Sequence, residues 1–264
     1  FHTYQKLYHN LFCSSQNLHR MSVLALCYYL NIKNFFKKMF QRMGFLGFAY
    51  RMSHGLGLIS MIPSDYIRAV PIRENGESLA PFRSSEKVAI FCPDEKDVSV
   101  RQSVLNKLIV ASSMLPDGFK LRILYGYRSL QMQKKFLEET CANIRKENPK
   151  LTDQEVEAKA RRYSAMPNGK GPHQTGGAVD VLIEDGNGKS LDFGTEYRAH
   201  NYSNSVSMHS KSITSKQKQN RKLLRNIMLS AGFVYYPGEW WHYSFGDQSW
   251  VAYTGNKFAL YDFL

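Results

Sequence analysis

The stretch Gly171-Pro-His-Gln-Thr-Gly-Gly-Ala-Val-Asp180 runs straight into Val181-Leu-Ile183. Gly169 to Gly177 is glycine-rich, and glycine permits bends that other residues resist. Ala178 to Ile183 then reads as a buried strand. Gly176 and Gly177 lie between His173 and Asp180, so a tight turn here can bring the two side chains together at the start of the strand. His and Asp are ligand types for zinc. A catalytic zinc takes three protein ligands and leaves one position for water.

A second segment, Glu239-Trp-Trp-His242, lies in the aromatic, β-like stretch Trp240 to Phe245. His242 can supply the third ligand from this strand. Glu239 would lie near the metal without needing to bind it. A carboxylate there can take a proton from the attacking water and hand it to the leaving amine. Each residue alone has a plainer reading. A histidine among aromatics is ordinarily a packed histidine, and an aspartate ending a turn is ordinarily a cap. The two segments together form a more specific pattern.

Working outward, Asp97 followed by Val100, Val104, Leu105, Leu108 and Ile109 predicts an N-capped amphipathic helix. Pro116-Asp-Gly118 should stop it. Lys120 to Tyr127 alternates Leu121, Ile123 and Tyr125 and predicts a strand. Leu130 to Arg145 reads as helical. Thr152-Asp-Gln-Glu155 fits a capping box opening a helix to about Tyr163. Asn220 to Ser230 places Leu223, Leu224, Ile227 and Met228 on one side of a helix, with Gly232 as its stop. Helices separate a few strands without regular alternation, which predicts an α+β fold.

The chain has 264 residues and a formal charge of +13. The charge is uneven. Residues 1–64 hold Lys6, Arg20, Lys33, Lys37, Lys38, Arg42 and Arg51 and no acid, whereas residues 65–264 hold 28 basic and 22 acidic residues. The basic residues are scattered and no nucleic-acid motif accompanies them, so no nucleic-acid partner is expected. Cys13, Cys27, Cys92 and Cys141 form no CxxC pair and read as reduced thiols. No apolar run reaches the ~20 residues of a membrane-spanning helix.

Residues 1–62 form one block rich in Phe, Tyr, His, Met and Lys, and composition becomes ordinary from Pro63. The expected division is therefore a basic N-terminal extension, 1–62, and a catalytic domain, 63–264. Phe35 to Tyr50 reads either as a membrane-surface or targeting helix or as a packed extension. Met21 to Ile32 is apolar but no clear cleavage site follows it. A cytoplasmic location is expected, with a periplasmic or membrane-associated one as the alternative.

The pairing of HxxGxAxD with ExWH resembles a group of zinc peptidases that includes D-Ala-D-Ala carboxypeptidases, lysostaphin-like endopeptidases and hedgehog domains. It is most similar to the D-alanyl-D-alanine dipeptidases. Tyr125-Gly-Tyr-Arg128, Asn220-Arg-Lys-Leu-Leu, Val70-Pro-Ile-Arg-Glu-Asn-Gly76 and Glu239-Trp-Trp-His-Tyr-Ser-Phe-Gly-Asp-Gln248 extend the resemblance over about 66–254. It implies a small, mainly antiparallel sheet flanked by helices, with zinc in a cleft over the sheet. It implies one Zn2+ per chain held by His173, Asp180 and His242, Glu239 as general base and acid, and Arg128 as the donor that stabilises the transition state. A fixed guanidinium suits that last role.

The implied reaction is hydrolysis of the D-Ala-D-Ala dipeptide or a related cell-wall peptide. The alternatives are a D,D-carboxypeptidase acting on longer stem peptides and a non-catalytic zinc-bearing module. Two departures stand out. The family has Ser where this chain has Gly171. Its Phe-Asp appears here as Tyr197-Arg198, and that acid helps bind the substrate amine. Arg198 would repel an ammonium, unless Glu196 or Asp192 takes over.

Overall fold

Five strands make the main sheet, in the order β2-β4-β5-β7-β6. They are β2 (Val88–Ile90), β4 (Lys120–Tyr125), β5 (Ala178–Glu184), β6 (Val234–Tyr235) and β7 (His242–Ser244). β2 runs parallel to β4, and every other pair is antiparallel. β1 (Leu79–Pro81) and β3 (Ser99–Arg101) form a separate antiparallel pair. The helices of the described residues include α1 (Ser64–Ala69), α2 (Gln102–Ser113), α3 (Leu130–Glu147), α4 (Asp153–Ala160), α5 (Ser215–Ser230) and α6 (Gln248–Thr254). This is the expected α+β class, a small, mainly antiparallel sheet flanked by helices. The computed structural model describes residues 44–83, 88–90, 98–160, 171–198 and 204–264. Residues Phe1–Ala49 and Tyr50–Leu264 form two units, and the sheet belongs to the second.

β5 is buried along its whole length. It sits in the middle of the sheet, which accounts for its unbroken apolar run around Asp180. Leu121 and Ile123 of β4 join it in the core, with Val104, Leu108 and Ala111 from α2 and Leu224, Ile227 and Met228 from α5. Between Ile123 and Tyr125 the β4–β5 register slips by one, so Tyr125 pairs with Asp180 and Leu124 is the extra residue. Such bulges redirect a strand beside functional sites.

Three boundaries differ from those expected. The helix anticipated from Asp97 begins at Gln102, because Val100 pairs with Ala80 in β3 instead; Asp97 itself lies outside the described residues. The strand from Lys120 stops at Tyr125, two residues early. α5 starts at Ser215, where Thr214 and Gln217 cap one another. The Thr152 box forms as expected, with the Thr152 N–H donating to Glu155 Oε2 at 2.8 Å. The continuation of its helix to Tyr163 lies outside the described residues, as do Gly169 and Lys170.

Ile62 is buried against Val70, Val251, Ala252 and Ala259, and its N–H donates to the Tyr253 hydroxyl at 3.3 Å. Among the described residues no helix is long and apolar enough to cross a membrane. The expected membrane-surface helix, Phe35 to Tyr50, lies mostly outside the described residues, as do Cys13, Cys27 and Cys92.

Candidate metal centre

Asp180 and His242 are direct cross-strand partners in the β5–β7 ladder. Residues opposite one another in a ladder point to the same face. Pairing alone therefore sets a carboxylate beside an imidazole, and His242 Nδ1 lies 3.0 Å from Asp180 Oδ1.

His173 arrives from the 3-10 turn Pro172–Thr175, which ends on Gly176 with φ 72°. That left-handed conformation is costly for anything but glycine. Gly177 is needed for space: a Cβ there would lie 2.6 Å from the Phe245 carbonyl oxygen. The His173 ring is fixed by its Nδ1, 2.8 Å from the Gly126 carbonyl oxygen just beyond β4. With Nδ1 donating, the lone pair sits on Nε2. The Arg128 N–H donates to the His173 carbonyl at 3.1 Å, tying the two loops together.

The three candidate ligand atoms converge. His173 Nε2 is 3.2 Å from His242 Nδ1 and 3.2 Å from Asp180 Oδ1. Ligands at tetrahedral zinc lie about 2.0–2.1 Å from the ion, which puts them about 3.3 Å from one another. The observed triangle is close to that size, and all three residues are buried. A His2Asp set can hold a metal ion and leave the fourth position open.

A neutral His173 and an ionised Asp180 are the forms that bind a metal. Burial and the charges of Arg128 and His242, against the pull of Asp180, hold His173 down to about 4, so its ring stays neutral. Burial opposes the charge on Asp180, but its coupling to and hydrogen bonds with His173 and His242 outweigh it and keep the carboxyl well below its ordinary value. Burial alone would lower His242. Asp180 and Glu239 overcome it and raise the ring.

Glu239 and Arg128 flank the triangle. Burial pushes Glu239 up to about 7, with Asp180 adding to the rise and His242, Arg128 and Arg198 opposing it. A carboxylate in that range suits base catalysis near neutrality. Arg128 Nη2 lies 3.8 Å from Asp180 Oδ2. Its Nη1 donates to Gln133 Oε1 at 3.2 Å, and the guanidinium sits over Phe136 at 4.5 Å. Gln133 and Phe136 come from the first two turns of α3, which Ser129 caps by accepting from the Met132 N–H. His173, Asp180 and His242 thus come together, Arg128 reaches toward Asp180, and Glu239 is coupled electrostatically to His242 and Asp180.

Residues 92–260 match the family profile described as D-ala-D-ala dipeptidase. The chain belongs to the D-Ala-D-Ala dipeptidase family. It is 29% identical over 216 residues to a D-alanyl-D-alanine dipeptidase of Synechocystis, covering 69% of this chain and 87% of that one. It is 30% identical over 142 residues to the Enterococcus faecium enzyme of the same name, covering 50% and 65%. Among solved structures it is similar to the vancomycin-resistance D,D-pentapeptidase VanY in complex with Zn(II), at 18% identity and a TM-score of 0.43, over 70% of this chain and 89% of that one.

The loop 192–198 of this peptidase carries what the sequence left open. The Tyr197 hydroxyl donates to Asp180 Oδ2 at 2.8 Å. Burial, then the charge of Asp180, holds that phenol well above its ordinary value, so it remains a donor. The role of Tyr197 was missed; the signal was the hydroxyl standing where the family has Phe. Asp192 stands at the start of this loop and anchors it. Its carboxylate accepts from the Gly194 N–H at 2.8 Å and Gln217 Nε2 at 2.9 Å, and so holds the loop to α5. Glu196 is exposed.

The Asn220-Arg221 pair completes this anchor in the peptidase. Asn220 donates to the Asp192 carbonyl, and buried Arg221 donates to the carbonyls of Phe193, Ser205 and Ser207. Trp240 stacks on Phe193 at 4.2 Å and donates to Thr195, while Trp241 packs edge-on against Tyr197. The tryptophans between Glu239 and His242 therefore grip the loop that touches Asp180.

Proposed function

We propose that this chain is a zinc-dependent peptidase acting on the D-Ala-D-Ala dipeptide or a closely related cell-wall peptide. The observation that carries the reading is the compact, buried triangle of His173, Asp180 and His242, with Arg128 near Asp180 and Glu239 coupled to His242. Family membership and the named relatives supply the substrate class.

His173, Asp180 and His242 would hold one zinc. Zinc, when bound, supplies Lewis acidity toward the scissile carbonyl and the attacking water. Glu239 removes a proton from that water as its oxygen adds to the carbonyl carbon. Arg128 faces the oxyanion that develops, held in place by Gln133 and Phe136. Glu239 then returns the proton to the leaving amine as the C–N bond breaks, which leaves a free carboxylate and a free amine.

A non-catalytic zinc module would need neither a base near neutrality nor a fixed guanidinium, and both are present. A D,D-carboxypeptidase reading gains from Arg198, a cation where the family resemblance expects the acid that binds the substrate amine. The test is to incubate zinc-loaded protein with D-Ala-D-Ala, its L,L isomer and a pentapeptide ending in D-Ala-D-Ala. Release of free D-Ala from the D,D substrates and no release of free L-Ala from the L,L isomer is expected. No release from any D,D substrate overturns the reading.

A further inference from the structure

Among the described residues Arg198 is the only non-glycine with positive φ, at 53°. Backbones of this kind persist where the surroundings over-determine them, and they gather at ligand sites. The Arg198 guanidinium lies 3.9 Å over the Phe136 ring, the same ring that carries Arg128. Its charge reaches Glu239 and Tyr197. Two cations thus share one aromatic support beside the metal triangle.

Their circumstances differ. Arg128 donates to Gln133 and lies near Asp180. Half-buried Arg198 has no carboxylate partner among the described residues. Asp192 is occupied in anchoring the loop. From Tyr197 to Gly238 the sequence contains Arg198, Lys211, Lys216, Lys218, Arg221, Lys222 and Arg225, and no Asp or Glu. A partly desolvated guanidinium with no carboxylate in ion-pair contact among the described residues is stabilised by a planar anion that takes two of its N–H donors. An ammonium in the same place is repelled.

We propose that Arg198 is a carboxylate-binding residue of the substrate cleft, so that this peptidase selects peptides with an anionic group at that position and disfavours an ammonium there. The inference rests on the peptidase reading for the location of the cleft. The carboxylate can be the peptide's own C-terminus or an acid attached on the amino side of the scissile bond. Both present the same fork to a guanidinium.

Calorimetric binding to the zinc-loaded full chain, carrying Glu239→Gln to prevent turnover, separates the two sources. The probes are N-acetyl-D-Ala-D-Ala, its C-terminal amide and N-succinyl-D-Ala-D-Ala. An amino-side site makes the succinyl peptide bind about tenfold or more tighter than the acetyl peptide. A C-terminal site does the same for the acid over its amide. Arg198→Asn removes the charge while tolerating the left-handed backbone, and should bring the preference below about twofold. Arg198→Lys should keep part of it. The proposal is overturned if neither preference exists, or if Arg198→Asn leaves both unchanged. Turnover by the parent chain, followed separately, reports on the peptidase reading, so either can fail alone.

Discussion

The Tyr197 hydroxyl donates to Asp180 Oδ2, the carboxylate oxygen that does not face the two histidines. Asp180 is thereby oriented with Oδ1 alone turned toward the centre of the triangle. Hydrogen bonds of this type to a metal ligand typically contribute about 10–100-fold in affinity. Tyr197→Phe should therefore weaken zinc binding by about that factor while leaving the fold intact. Chelator competition checks this, and equal affinity in the two proteins would show that Tyr197 does not position the ligand.

Arg128 should matter more in the transition state than in the ground state. Arg128→Ala is expected to cost about 3 kcal/mol in kcat/KM, seen mainly in kcat. Arg128→Lys should recover little, because the ammonium lacks the fork that Gln133 and Phe136 hold in place. Steady-state kinetics of both variants decide it. A defect confined to KM would assign Arg128 to ground-state binding.

Glu239 sets the expected pH dependence. Only its ionised form accepts a proton, and burial raises its pKa to about 7. Activity should therefore fall as pH drops through that region. A bound cation favours the ionised form and moves the limb lower. Glu239→Gln should retain zinc and lose about 10²–10⁴-fold in kcat. A rate–pH profile that stays flat down to pH 4 would remove Glu239 as the base.

Arg221 is predicted to hold the catalytic loop. It is fully buried and donates to three carbonyls between Phe193 and Ser207. Arg221→Met leaves those acceptors without partners, at about 3 kcal/mol or more of stability. Denaturant unfolding measures the loss. A change under 1 kcal/mol would show that the loop stands without it.

The parts of this molecule legible in the sequence are those governed by local chemistry. Glycines near His173, the apolar run at Asp180 and the aromatic run at His242 announce a turn and two strands. The pairing of Asp180 with His242 follows once those strands are neighbours. Sites set by tertiary pairing were not legible. Val100 has a helical pattern yet joins β3, because Ala80 lies opposite it. The bulge at Leu124 depends on its partner strand, and no residue type in β4 announces it. The Gly126 carbonyl that orients His173 is a backbone group and leaves no mark in the side-chain pattern. Tyr197 was visible only as a departure, since a hydroxyl reveals its acceptor only when the loop is folded against Asp180.

The central claim is that His173, Asp180 and His242 hold one zinc. Elemental analysis of zinc-loaded, dialysed protein tests it most directly, on the parent chain and on the Ala variant of each residue. The account predicts one zinc per parent chain and little or none in each variant, with circular dichroism showing that the variants remain folded. A parent chain that retains no zinc, or folded variants that retain a full equivalent, would contradict it.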